Sequence, residues 1–277
     1  MVEEYTLTQR AVAEFLGMFS IVFFGAGAVV IDFLTVPESA GGEFVISGLG
    51  LGALGWVGIA IAFWGAVALP IYVFGHVSSQ HINPAVTIAL WATDRIEARA
   101  AVGYIVAQLL GGLAGALTFL AIRGPEAARV GAMGATAVFP GVAQWQALLN
   151  EVVITFFLMI VIMAVAVDER GPDRFAGLLI GFLVAAGILT TGNISGASFN
   201  PARTLGPYAA NTVAGLLGVE GAPNLWGQAW IYIVGPVVGA LAGVYLYDYL
   251  VLGPYEDATA DASAGTDEGE DVEAGRA

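Results

Sequence analysis

Six stretches of this chain, Ala11–Leu34, Leu49–Phe74, Ala100–Ile122, Ala147–Val167, Phe175–Thr191 and Ala229–Leu252, are apolar over close to the length that crosses a bilayer. A hydrocarbon core of about 30 Å takes roughly 20 helical residues, so each stretch reads as a membrane-crossing helix. Composition agrees: 58% of the residues are hydrophobic and 12% charged, against about 25% charged in soluble domains. The expected class is an all-α integral membrane protein. Residues 1–9 carry Glu3 and Glu4 instead of a cationic run, and the first stretch is too long for a secretory h-region, so it is expected to persist as a span.

Two tripeptides interrupt this pattern. Asn83-Pro84-Ala85 and Asn200-Pro201-Ala202 each put a helix-capping residue before a proline, whose missing N–H is tolerated in the first turn of a helix. Both are helix starts placed inside apolar sequence, where a simple span would have none. Paired starts in corresponding places point to a site near the bilayer midplane.

The halves around them repeat. Ala13-Glu14-Phe15 in the first span matches Asn150-Glu151-Val152 in the fourth, and Gly111 and Gly115 in the third match Gly235 and Gly239 in the sixth, followed there by Gly243. Three spans per repeat force the second half, about 146–252, to lie inverted relative to the first, about 10–123. The two Asn-Pro-Ala segments then enter from opposite faces. From Pro84 to about Thr93 is roughly 15 Å of helix, half the hydrocarbon thickness, so two such half-helices would form one pseudo-span. The four-residue glycine spacing is that of closely packed membrane helices. Glu14 and Glu151, ionisable groups inside spans, need partners, and the unpaired N–H groups of the re-entrant loops are the expected ones.

Charge orients the chain. Arg10, Arg95, Arg99, Arg170 and Arg174 fall on one side of six alternating spans and Arg123 and Arg129 on the other, which puts both termini in the cytoplasm. Net charge is −14, there is no lysine, and acids crowd residues 255–277 among Ala, Gly, Ser and Thr. That composition predicts a disordered tail and fits a high-salt cytosol. Cysteine is absent, which excludes disulfides and thiolate chemistry.

The segments around the tripeptides, from Gly75 to Thr87 and from Gly192 to Thr204, resemble those of the aquaporins, the major intrinsic protein family, and the likeness extends from about Arg10 to Leu252. The resemblance implies six helices plus two re-entrant half-helices over residues 1–254, a passive water channel and a homotetramer. Its partners would be water, small neutral solutes and membrane lipid, with no cofactor, no metal, no nucleic acid and no enzymatic activity. The family's outer constriction carries over to Phe63, Ile188, Ala197 and Arg203. Ile188 stands where water-strict members have histidine, and Thr204 where glycerol facilitators have Asp; the set resembles that of archaeal aquaporins. Glycerol, hydrogen sulfide, carbon dioxide and ammonia are further candidate solutes.

The residues suggest how such a pore would work. Facing helix starts, each worth about half a positive charge, oppose cations. The amides of Asn83 and Asn200 can donate to a water oxygen and break a proton-conducting file. The stretches 76–82 and 193–199 are expected to be extended and to present backbone carbonyls to the pore. The resemblance implies that His81 anchors its loop, with pore lining and pH gating as alternatives, and Ser78, Ser79, Ser195 and Ser198 are expected to serve irregular backbone. A secondary transporter also fits inverted repeats and broken helices, but it needs a titratable or ion-binding group at the centre that the motif segments do not supply.

Overall fold

A computed structural model describes residues 5–35, 54–253 and 255. The acidic tail expected from 255 onward lies, apart from Tyr255, outside the described residues, as do 49–53 of the second expected span. Six long helices carry the apolar stretches: α1 (Leu7–Leu34), α2 (Gly55–Ser78), α4 (Ala98–Arg123), α5 (Gln144–Val167), α6 (Ala176–Ser195) and α8 (Ile231–Tyr247), the last continuing as a π-turn over Asp248–Leu252. Two shorter helices start at the prolines, α3 (Pro84–Ala92) and α7 (Pro201–Leu216). The described residues contain no strand. At 1.5 Å per residue α3 is about 14 Å long, the half-helix expected; α7, at 16 residues, runs on well past that length.

The packing repeats as the sequence does. α1 packs against α4 and α2, and α5 packs against α8 and α6. The half-helices cross over, α7 seating on α4 of the first repeat and α3 on α8 of the second, so each repeat holds the other's re-entrant segment.

Glycine makes these crossings possible. A Cβ at Gly111 would collide with the carbonyl of Phe15, and one at Gly115 would stand 2.8 Å from that of Phe19. In the second repeat a Cβ at Gly239 would collide with the Val152 carbonyl, and one at Gly243 would lie 2.7 Å from the Phe156 carbonyl. The four-residue glycines are thus points of backbone-to-backbone contact between α1 and α4 and between α5 and α8, as small residues are in membrane interfaces. The α2–α6 contact uses a different device, large rings over glycine: Trp56 on Gly192, Trp64 on Gly181 and Tyr72 on Gly177.

Broken backbone bonds find side-chain partners. Pro70 inside α2 cannot donate to the carbonyl of Ala66, and the Ser20 hydroxyl of α1 donates to it instead at 3.2 Å. The first turn of α2 has no cap of its own; the buried carboxylate of Asp32, at the end of α1, accepts from Leu54 N (3.2 Å) and Gly55 N (2.7 Å). Large apolar side chains such as Phe24, Val57, Ile61, Leu69 and Phe182 are exposed on the outer faces of the helices, as a lipid-facing surface requires.

Candidate functional site

The site is built where α3 and α7 begin. Asn83 and Asn200 are extended (φ −159° and −149°) and cap their helices, Asn83 Oδ1 accepting from Ala85 N at 2.9 Å and Asn200 Oδ1 from Ala202 N at 2.9 Å and Arg203 N at 3.3 Å. Their amides do something the sequence did not anticipate. Asn83 Nδ2 donates to the carbonyl of Phe199 (2.8 Å) and Asn200 Nδ2 to that of Ile82 (2.7 Å), so each cap latches onto the residue preceding the other. The two helix starts are held face to face by this reciprocal pair. One hydrogen of each amide is therefore engaged across the loops, and the second of Asn200 points towards Met18 Sδ at 3.6 Å.

The loops leading into these caps share one backbone pattern. Ser79, Gln80 and Ile82 have φ of 64°, 44° and 41°, and Gly196, Ala197 and Phe199 at the equivalent places have 79°, 46° and 59°. Left-handed backbone is rare for residues with a Cβ, above all for a β-branched isoleucine, and clusters where surrounding structure enforces it. The expected extended stretches are shorter than the sequence suggested. α2 continues through Ser78 and α6 through Ser195, so His76, Val77, Ser78, Asn193, Ile194 and Ser195 are helical, and only 79–82 and 196–199 leave the helix. The local reason is that both helices run on to a left-handed residue, Ser79 or Gly196, which turns the chain.

What enforces the loops is a carboxylate in each half. Glu14 Oε1 accepts from Ser78 Oγ (2.8 Å) and His81 N (2.9 Å), and its Oε2 from Ile82 N (2.6 Å) and Gln108 Nε2 (2.8 Å). Glu151 Oε1 accepts from Ser195 Oγ (2.6 Å) and Ser198 N (2.9 Å), and its Oε2 from Phe199 N (2.9 Å). Both are fully buried, and every partner named is a donor. Tyrosines complete the frame: Tyr104 donates to the Ser78 carbonyl at 3.0 Å and Tyr232 to the Ser195 carbonyl at 2.8 Å. His81 Nδ1 lies 3.2 Å from Thr87 Oγ1, and its ring stands edge-on to Tyr104, 5.2 Å away. His76 is remote from this frame, against Tyr5.

Two cavities meet at this frame. The inner one, with about 840 Å³ of open space including its mouth, is walled by Ile21, Val67, Ile71, Leu158, Ile162 and Val184, with Asn83, Asn200 and both loops supplying its polar strip. The outer one, about 780 Å³, is walled by Trp56, Ile59, Phe139, Ile188 and Leu225, with Asp32 among its polar groups. Phe63 and Arg203 line both, so they stand at the junction. The Arg203 guanidinium carbon sits 4.8 Å from the centre of the Phe63 ring, and Nη1 donates to the Gly134 carbonyl at 2.7 Å. Of the four positions singled out by resemblance, Phe63 and Arg203 touch, Ile188 faces the outer cavity and Ala197 the inner one.

The connection between α4 and α5 is partly buried. Ala132, Met133, Gly134, Thr136 and Phe139 are buried, and the segment is tied to α7 by Arg203, by Asn211 Nδ2 donating to the Ala132 carbonyl (2.8 Å) and by Tyr208 donating to the Thr136 carbonyl (2.9 Å). Thr204 bridges Ser198 (2.7 Å) and Thr136 (2.6 Å) through hydroxyls, which gives this position a structural task. Asp32, Met18 and Thr136 were missed by sequence reasoning. Asp32 could have been found, being an acid inside the first apolar stretch; nothing local marks the other two. Among the described residues no three His, Cys, Asp or Glu side chains gather as metal ligands would.

The chain matches the family model described as major intrinsic protein over residues 1–247. It is 50% identical over 248 residues to the aquaporin AqpM of Methanothermobacter marburgensis, covering 88% of this chain and 98% of that one. It is 52% identical, with the same coverage, to a probable aquaporin AqpM of Archaeoglobus fulgidus. The aquaporin NIP1-4 of Oryza sativa is 36% identical over 248 residues, covering 90% of this chain and 79% of that one. Among solved structures, the aquaglyceroporin of Plasmodium falciparum superimposes with a TM-score of 0.72 at 25% identity, covering 91% of this chain and 99% of that one.

Proposed function

The chain belongs to the major intrinsic protein family, and from that premise we propose how its residues divide the work of a pore. It is an integral membrane protein and a passive water channel. The proposal concerns which residues act, on what, and in which orientation.

The reading rests above all on the reciprocal latch of Asn83 and Asn200, which holds two helix N-termini together beside the inner cavity. Each start contributes about half a positive charge, so hydronium and metal cations meet an electrostatic barrier there. Asn83 keeps a second amide hydrogen, and that hydrogen turns a passing water so that it donates outward in both directions. Continuity of the proton file is lost while water moves. Glu14 and Glu151 are loop supports: each fixes strained backbone that no helix or strand would hold. His81 supports its loop through Thr87.

Phe63, Ile188, Ala197 and Arg203 act as the filter. Arg203 supplies fixed charge and donors, and Phe63 and Ile188 supply apolar walls that do not hold a water strongly. Because Ile188 leaves its wall apolar, small neutral solutes such as glycerol, hydrogen sulfide, carbon dioxide or ammonia pass beside water. Residues 1–254 form the channel, with both termini cytoplasmic, and four copies assemble as a homotetramer.

Stopped-flow light scattering on proteoliposomes under sucrose and glycerol gradients tests this. Water permeability above that of empty liposomes, without proton leak, is expected. A permeability equal to empty liposomes, or uphill solute movement driven by an imposed proton or sodium gradient, would overturn it.

A further inference from the structure

We propose that Gly25 sets the width of the constriction between Phe63 and Arg203 by leaving open the space into which the Phe63 ring recedes. The inference rests on the reading of Phe63 and Arg203 as the filter and adds a residue that no filter position includes.

Gly25 is buried in α1, within a π-turn over Ile21–Ala26. A turn of this kind re-aims the residues it carries and is frequent at functional sites. A Cβ built on Gly25 would lie 2.6 Å from both Cδ1 and Cε1 of Phe63 and 3.0 Å from its Cγ, so its three nearest neighbours all belong to one ring. Ordinary carbon contacts are 3.5–4.0 Å, so the ring would have to move by roughly 1 Å. Its room is limited by the Arg203 guanidinium, whose carbon is 4.8 Å from the ring centre. Both residues line both cavities, so a ring moving away from Gly25 narrows the passage between them.

α1 cannot retreat instead. On its far side Gly115 of α4 is so close that a Cβ there would stand 2.8 Å from the Phe19 carbonyl and 3.2 Å from Phe23 N, and Gly134 lies against the carbonyl of Ala26. The helix is pinned above and below Gly25 by backbone, so the ring is the part that yields. Gly25 is thus a positioning residue that acts through Phe63.

The test compares wild type, Gly25→Ala, Phe63→Leu and the double variant as full-length chains in proteoliposomes, using water, urea and glycerol. Gly25→Ala is expected to reduce permeability to the largest solute the wild type passes by about tenfold and to water by at most about threefold, and the double variant to come within about twofold of Phe63→Leu alone, the non-additivity of a direct contact. An equal loss for every solute, or the same Gly25→Ala effect in the Phe63→Leu background, overturns the proposal. Should Gly25→Ala fail to fold, the double variant decides: recovery of a folded, conducting channel supports a seat for the ring, and loss of both variants overturns it in favour of helix packing alone. A wild type that passes no water overturns the channel reading itself, whereas a conducting wild type with unaltered selectivity in Gly25→Ala overturns only this inference.

Discussion

At the scale of single residues, the site depends on side chains that satisfy backbone no regular structure could satisfy. Glu151 receives two backbone N–H groups and a hydroxyl. Glu151→Gln keeps the shape but turns one acceptor into a donor facing donors, and an unsatisfied buried group costs about 1–3 kcal/mol. A lowered melting temperature in detergent, with water permeability falling as the loop loosens, is the expected outcome; a variant as stable and as conductive as wild type would remove Glu151 from loop support. Ile188 tests selectivity instead of stability. Ile188→His adds bulk and a polar group to the outer side of the Phe63–Arg203 contact, and glycerol flux should fall about tenfold, near 1.4 kcal/mol on the barrier, while water falls much less. Unchanged relative fluxes would take Ile188 out of the filter. Glu14, Glu151, Asn83 and Asn200 were legible because carboxylates and asparagines stand out in apolar sequence, whereas Ile188 was reached only through the resemblance. Met18 did not stand out, since a methionine on a span reads as packing until Asn200 Nδ2 is seen 3.6 Å from its sulfur.

At the scale of elements, the sequence located helices well and their ends less well. Apolar composition marks where a helix crosses the membrane, but α2 and α6 end only where a left-handed residue turns the chain, several residues beyond the apolar stretch. The start of α2 shows the same limit. Its cap is Asp32 on another helix, and a tertiary cap leaves no local motif. Asp32→Ala should cost about 0.5–2 kcal/mol, the usual range for losing a cap, read as a lower melting temperature with α2 residues exchanging hydrogen faster. Equal exchange would show that α2 does not depend on it. A second joint closes the turn after α5. The Arg170 guanidinium, bound to Asp168 at 2.8 and 2.6 Å, holds that carboxyl well below the usual carboxylate range, and Tyr247 donates to it at 3.0 Å. A depressed folded-state value means the ionised form stabilises the fold above the ordinary carboxylate value of about 4 and the contribution is lost as pH falls through the depressed one. Asp168→Asn should therefore melt below wild type at pH 7, with the two melting curves converging as pH drops below about 4. A gap that persists undiminished into acid would mean that hydrogen-bond geometry, and not charge, makes the joint.

At the scale of the whole molecule, the inverted repeat accounts for both likeness and difference between the halves. α1–α4 and α5–α8 make corresponding contacts, and the two loops share their sequence of left-handed residues. The fastenings share a carboxylate, a serine and a tyrosine and differ beside them: Gln108 reaches Glu14 and His81 meets Thr87 in the first loop, whereas Thr204 joins Ser198 and Thr136 in the second. The reciprocal Asn83–Asn200 latch couples the two halves, while Arg203 donates its backbone N–H to the second cap alone. Inversion also makes sidedness a sharp prediction. Successive spans alternate in direction, so the start of α4 and the start of α5 lie on opposite faces, and the arginine asymmetry assigns the first to the cytoplasm. The chain contains no cysteine, so single cysteines report without background. Glu97 and Gln144 are exposed at those two starts. In intact cells a membrane-impermeant maleimide should label Gln144→Cys and leave Glu97→Cys unlabelled until the membrane is opened. The reverse pattern would turn the channel over while leaving its pore intact, because a pore built from two inverted halves conducts in either orientation; labelling of both in intact cells would contradict the inverted repeat itself.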